Sequence, residues 1–255
     1  MSKKVKISAV VITFNEEHNI ARCLTSLLDV CDEIIVVDSY SSDRTKTICA
    51  EFDVKFIEHH FKGHIEQKNF AMGQASSDYV LSLDADEALS QELKSQISRV
   101  KNNWQGPAYK FNRFTNYCGQ WIKHCGWYPD TKVRLWDRKK GKWGGLNPHD
   151  SVELEPSVTP IHLKGNLLHY SYYSVQEHFE RSLKYAKISA RAMQQKEKKA
   201  GLGKIMSSTI YRFVRDYFIR LGILDGFYGL VICTTNAYTT FAKYVYLREY
   251  NRKTK

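Results

Sequence analysis

The sequence predicts an α/β fold: a Rossmann-like, mostly parallel sheet flanked by helices, followed by a helical, basic C-terminal extension. Three observations predict it. Residues 6–14 (KISAVVITF), 33–37 (EIIVV) and 79–83 (YVLSL) are apolar runs rich in strand-forming residues, as in strands covered on both faces. Between them apolar residues recur at helical spacing, so that strand and helix alternate four times, the pattern of right-handed crossovers in a parallel sheet. The charge is also uneven: residues 172–255 carry 16 Lys and Arg against 6 Asp and Glu, whereas residues 1–171 carry 22 against 21.

Taken in order, the first strand breaks at residues 15–17 (NEE), and Asn19 is placed to cap a helix carrying Ile20, Cys23, Leu24, Leu27 and Leu28. The second strand ends in Asp38 and a polar run, and a short helix is expected over 44–52. A third strand over 54–57 leads to a helix over 65–74. The fourth strand ends in two carboxylates, Asp84 and Asp86, separated by one alanine. A helix over 90–106 and a strand over 107–114 follow. Residues 116–129 are too aromatic and too broken by glycine for one regular element. A strand is expected over 132–136 and a basic turn over 137–142. From Ser174 the period is helical, with an apolar stripe of Val175, Phe179, Leu183, Ala186 and Ala190. Two further apolar, basic-edged helical stretches, 205–224 and 226–247, are expected to break at 225–226.

The chain of 255 residues is long enough for a real core, with one domain and an extension. Its six cysteines show neither a C-x-x-C pair nor zinc spacing, and residues 1–6 are basic and run straight into a strand, so reduced thiols and no secretory signal are expected. No window of about 18 residues is apolar enough to be a membrane span. A basic tail behind a neutral body implies an anionic partner, a membrane surface or a nucleic acid.

In open α/β sheets ligands collect at the carboxyl ends of the strands. Three polar clusters sit there: Thr13, Asn15 and Glu16; Asp38 and Ser39; Asp84 and Asp86. Paired carboxylates suit Mg²⁺ or Mn²⁺ with a diphosphate, and equally suit an acidic turn that caps the next helix. The first two clusters offer the carboxylate and carbonyl groups that a nucleoside needs. Neither G-x-G-x-x-G nor G-x-x-x-x-G-K-[ST] occurs, which argues against a dinucleotide fold and a P-loop ATPase. The aromatics of 116–129 suit stacking on sugar C–H faces, or completion of a core.

These motifs carry a resemblance. Residues 10–17 (VVITFNEE), 36–45 (VVDSYSSDRT) and 83–87 (LDADE) resemble the nucleotide-sugar half of the inverting family-two glycosyltransferases of GT-A fold. Residues 67–71 (QKNFA), 110–113 (KFNR), 119–140 and 147–153 (NPHDSVE) resemble the subgroup that includes the lipopolysaccharide inner-core heptose glucosyltransferases. The resemblance implies a metal-dependent, inverting transferase, moving a sugar, glucose from UDP-glucose, to a lipid-linked saccharide. On that reading residues 1–171 form the catalytic domain, with a nucleotide-sugar half over 1–100 and an acceptor half over 101–171. Residues 172–255 form an extension that binds a membrane or a second copy of the chain. Thr13, Asn15, Glu16, Asp38, Gln67, Lys68, Asn69 and Asp84 hold the donor. Asp84, Asp86 and His169 hold Mg²⁺ or Mn²⁺. Asp150 is the general base, since an acidic residue at the matching position takes the acceptor proton. Arg113, Trp127, Tyr128, Asp130 and Arg134 lie on the acceptor side. The enzyme is then cytoplasmic and peripheral on the inner face of the bacterial inner membrane, with no nucleic-acid partner.

Two rivals stay in view. A sugar-nucleotide nucleotidyltransferase shares such a sheet and acidic ligands, but no glycine- and basic-rich triphosphate loop follows the first strand. A non-catalytic basic protein that binds nucleic acid or membrane explains the tail, but leaves the acidic edge unexplained.

Overall fold

The computed structural model describes residues 4–146 and 149–253. By its internal contacts the chain divides into two compact units: residues 1–113 with 130–170, and residues 114–129 with 171–255. Strand β6 (Ala108–Tyr117) and strand β11 (Ile161–Tyr172) run from one unit into the other. The aromatic loop over 116–129, expected within the acceptor half, thus groups with the C-terminal helices.

In the first unit β1 (Ile7–Thr13) pairs in parallel with β2 (Glu33–Asp38) and with β4 (Tyr79–Asp84), and β2 pairs with β3 (Lys55–Glu58). The intervening helices are α1 (Ile20–Leu27), α2 (Thr45–Cys49) and α3 (His64–Gly73). After β5 (Glu87–Leu89), α4 (Gln91–Asn102) starts at Ser90, whose hydroxyl accepts from Leu93 N. The remaining strands are antiparallel: β8 (Asp130–Asp137) pairs with β4 and β6, and β5 with β11, while β7 (Gln120–Trp121), in the second unit, pairs with the end of β6. The sheet order is β3-β2-β1-β4-β8-β6-β11-β5. A separate hairpin joins β9 (Gly141–Leu146) and β10 (His149–Leu154).

The strand period of two divides the core. Ile7, Ala9 and Val11 pack with α1 and α4 residues on one face, and Val10, Ile35 and Val37 pack with α3 and Trp143 of β9 on the other. Both faces of β1 are therefore buried, which is why its sequence does not alternate. Asn19 differs from expectation: its side chain makes no cap bond and donates to Glu16 Oε2 at 2.7 Å.

In the second unit α5 (Val175–Gln195) and α6 (Leu202–Val214) both pack against α7 (Gly226–Lys253). The buried stripe of α5 is His178, Ser182, Ala186 and Ala190, and Phe179 faces outward, so the small residues rather than the large apolar ones face the neighbouring helix. The break after α6 also differs. One π-helical turn (Arg215–Ile219) leads to Leu221 in the left-handed region (φ 54°), and a 3₁₀ turn (Gly222–Asp225) leads into α7.

Candidate active site

The strand registers place the acidic edge. Thr13 pairs with Asp38, Ile12 with Asp84, and Asp38 with Glu58, so one end of the parallel sheet carries them all. Asp38 is fully buried and accepts from Ser41 N at 2.7 Å and from the Ser41 hydroxyl. Asn15 sits in the left-handed region (φ 53°), where its N–H donates to Ser41 Oγ and its Oδ1 accepts from Ser42 N, both at 2.8 Å. Glu16 N donates to Thr45 Oγ1. These bonds lock the loops after β1 and β2 together. Thr13 Oγ1 is buried and has no hydrogen-bond partner among the described residues.

Three consecutive residues of α3 have three different tasks. Gln67, fully buried, spends its amide on His59 and Ser39: Nε2 donates to Ser39 Oγ and His59 O, and Oε1 meets His59 Nδ1 at 2.8 Å. Asn69 binds both backbone groups of Trp143, at 2.8 and 3.0 Å, and so pins the β9–β10 hairpin to α3. Both amides, expected on the donor, are committed to the scaffold here. Lys68 instead joins two carboxylates. Its side chain is 4% exposed, and Nζ lies 2.9 Å from Asp84 Oδ1, 2.7 Å from Asp150 Oδ2 and 4.2 Å from the Trp143 ring centre.

A second cation stands behind Asp84. Arg134 Nη2 reaches Asp84 Oδ2 at 3.2 Å and Glu87 Oε1 at 2.7 Å, with its guanidinium 5.1 Å from the Trp143 ring centre. Glu87 is fully buried, and its other oxygen accepts from Asp84 N at 3.0 Å. Arg113 holds Asp130 at 2.8 Å and approaches Glu87 at 3.6 Å. Burial alone would raise the Asp84 carboxyl, but Lys68 and Arg134 hold it well below the carboxylate range. Arg134, expected on the acceptor side, is a buried organiser of the acidic edge, and its Nε has no partner among the described residues.

Of the three expected metal ligands, two come together. Asp86 Oδ2 and His169 Nε2 are 3.2 Å apart, and the backbone bond from Tyr170 N to Asp86 O holds β11 beside the carboxylate turn. Asp84 instead faces the two cations. Among the described residues no three His, Cys, Asp or Glu side chains converge as a metal cage. An oxygen and an imidazole nitrogen side by side fit Mn²⁺ better than Mg²⁺, with phosphate and water oxygens to complete the shell.

Asp150 stands on β10 opposite Gly145. Its carboxylate accepts from Lys68 Nζ at 2.7 Å. Asn147, Pro148 and the His149 side chain lie outside the described residues.

Trp127 and Tyr128 belong to the second unit. Trp127 lies 5.8 Å from the Tyr117 and His178 rings and packs on that unit's core, and Tyr128 lies 5.0 Å from Phe114. Asp225, nearly fully buried, ties their loop down: it accepts from Lys123 N, His124 N and His124 Nδ1. Sequence reasoning gave no site role to Glu87, Trp143 or Asp225. Only Glu87 had a signal, its place in LDADE.

Residues 8–151 match the family described as Glycosyl transferase family 2. An uncharacterized glycosyltransferase of Rickettsia typhi is 32% identical over 261 residues, covering 98% of this chain and 89% of the relative. The lipopolysaccharide core biosynthesis glycosyltransferase LpsC of Rhizobium meliloti is 27% identical, covering 95% and 93%. Among solved structures, the mannosyltransferase PcManGT of Pyrobaculum calidifontis, in complex with GDP-Man and Mn²⁺, aligns with a TM-score of 0.54 at 14% identity over 96% of this chain and 87% of that one. Its likeness shows the same GT-A fold. A parallel sheet with an acidic carboxyl edge, matched over more than half its length and by full-length relatives, places this chain in glycosyl transferase family 2, and it is a glycosyltransferase.

Proposed function

We propose that the enzyme transfers glucose from UDP-glucose, with inversion, to a saccharide of the lipopolysaccharide inner core, with Asp150 as general base. The observation that carries this reading is Lys68: one buried ammonium is within 3 Å of Asp84, on the donor strand, and of Asp150, on a hairpin distant in sequence. The base candidate thus stands beside the donor edge, as a single displacement requires. Asp150 takes the proton of the acceptor hydroxyl as that oxygen bonds to the anomeric carbon, and the bond to the UDP oxygen breaks on the opposite face with its electron pair. Lys68 orients the Asp150 carboxylate, and Arg134 with Glu87 fixes Asp84. Asp38 and Thr13, whose hydroxyl has no partner among the described residues, suit the nucleoside. Asp86 and His169 would hold Mn²⁺ or Mg²⁺, whose charge stabilises the departing diphosphate.

The relatives support the coarser parts of this reading. PcManGT was solved with a nucleotide sugar and Mn²⁺, and LpsC is named for lipopolysaccharide core biosynthesis. Glucose and UDP rest on the motif resemblance. A lipid-linked acceptor puts the enzyme on the cytoplasmic face of the inner membrane. The test is incubation with labelled UDP-glucose and heptose-terminated core oligosaccharide, with Mn²⁺ or EDTA. A β-linked, Mn²⁺-dependent product is expected. An α-linked product, or transfer from other sugar nucleotides but not from UDP-glucose, would overturn the proposal.

A further inference from the structure

The second unit exposes an apolar edge that the chemistry above does not use. At the bend between α6 and α7, Phe218, Ile219, Leu221, Ile223, Leu224 and Phe227 all face outward, with Phe227 71%, Ile219 68% and Leu224 64% exposed. The edge continues along α6 at four-residue spacing through Leu202, Met206, Ile210 and Val214. Apolar surface this continuous is uncommon on a soluble monomer and marks an interaction face.

The charges around it have one sign. Between Glu197 and Glu249 the sequence holds two acids, Asp216 and Asp225, and both are buried. Asp216 gathers three guanidiniums at the bend, Arg212 at 2.6 Å, Arg215 at 2.8 Å and Arg220 at 3.6 Å. One carboxylate cannot neutralise three arginines, so this rim, half-buried at Arg212 and Arg215 and exposed at Arg220, is cationic. The bend itself is built in. Leu221 takes a left-handed conformation, and a side chain at Gly229 would collide with the Gly222 carbonyl. No single described helix is long and apolar enough to cross a membrane; residues 202–219 and 222–252 together would be, but they meet at 70°.

We propose that this bend is an insertion tip that docks the second unit on an anionic bilayer: the apolar residues enter below the headgroups, and Arg212, Arg215 and Arg220 meet the lipid phosphates. The helices lie in the interface and do not span it. Charge complementarity selects the lipid over a second copy of this chain, because a two-fold interface through this edge would set cations against cations. The inference deepens the reading of a lipid-linked acceptor, but its test needs neither donor nor acceptor, so failure of docking and failure of the transfer chemistry are separate results.

Flotation of the full chain with phosphatidylcholine vesicles, with and without one third phosphatidylglycerol, tests it. Binding is expected to the anionic vesicles, to weaken with salt, and to fall at least tenfold in the triple variant Ile219→Ser, Leu224→Ser, Phe227→Ser. All three side chains are exposed, so an unchanged melting curve shows that the variant folds. A Phe227→Trp variant should gain fluorescence quenching by brominated lipid over the parent. Equal flotation of the triple variant overturns the proposal. So does a parent that ignores vesicles but sediments as a dimer which the triple variant abolishes, since the edge is then a subunit interface.

Discussion

Replacing Lys68 by methionine removes the ammonium that joins the donor edge to the candidate base, and keeps the aliphatic stem under Trp143. At about 3 Å and an effective dielectric constant near 20, each Lys68–carboxylate pair is worth roughly 5–6 kcal/mol of direct attraction, most of it offset by desolvation. Losing one partner of a buried pair costs about 3–5 kcal/mol, because the remaining charge is stranded. Here the stranded charges are not sealed: the Asp84 side chain is 28% exposed and keeps Arg134, and Asp150 is 14% exposed. Water and Arg134 therefore recover part of the loss. A net destabilisation of about 2–3 kcal/mol follows, a fall in Tm of roughly 4–12 °C for a chain of this size. Differential scanning calorimetry measures it. Acceptor-dependent turnover should fall as well, since Asp150 loses the group that aims it, and the Asp84 carboxylate loses one of two cations. A Lys68→Met protein that melts within a degree of the parent and turns over normally would refute the assignment of Lys68 as the bridge.

Other outcomes follow from the same geometry. Glu87→Gln leaves the buried Arg134 short of its closest anion and should destabilise by about 2–4 kcal/mol in urea unfolding; an unchanged midpoint would show that Arg134 is satisfied without it. Burial first, and Arg181 second, push the His178 imidazole down to about 4 from an ordinary 6.5. The unfolded chain then binds the extra proton between those values, so His178 contributes stability that is present above pH 6.5 and is lost as the pH falls toward 4, about 3 kcal/mol in all. His178→Gln should flatten that stretch of the pH–stability curve, and an equally steep curve in the variant would assign the slope to another group.

The parallel half of the sheet was legible because burial on both faces leaves its mark as unbroken apolar runs, and its carboxyl ends were marked by Asp38, Asp84 and Asp86. The antiparallel half was harder. Strand β11 buries only Leu163 and Leu167, and strand β9 (GKWGGL) holds three glycines and begins inside the stretch expected as a basic turn, so neither shows a clean period of two. Within the site, residue types were readable but partners were not. Nothing in the sequence says that Arg134 meets Asp84, 50 residues away, or that Lys68 meets Asp150, 82 residues away. Gln67 and Asn69, neighbours of Lys68 in QKNFA, hold the scaffold because a helix turns successive side chains by about 100°, away from one another. In α5 the helical period was clear, but close packing chose Ser182, Ala186 and Ala190 for the inner face and left Phe179 outside.

The proposed role of Asp150 is to remove the acceptor proton. Its most direct test is Asp150→Asn, which keeps the shape and a hydrogen-bonding oxygen for Lys68 but removes the base. Donor affinity, measured by calorimetric titration with UDP-glucose and Mn²⁺, should stay within about twofold, while kcat for acceptor-dependent transfer falls by about 10²–10⁴-fold. Turnover within tenfold of the parent at unchanged donor affinity would contradict the assignment and move the base elsewhere.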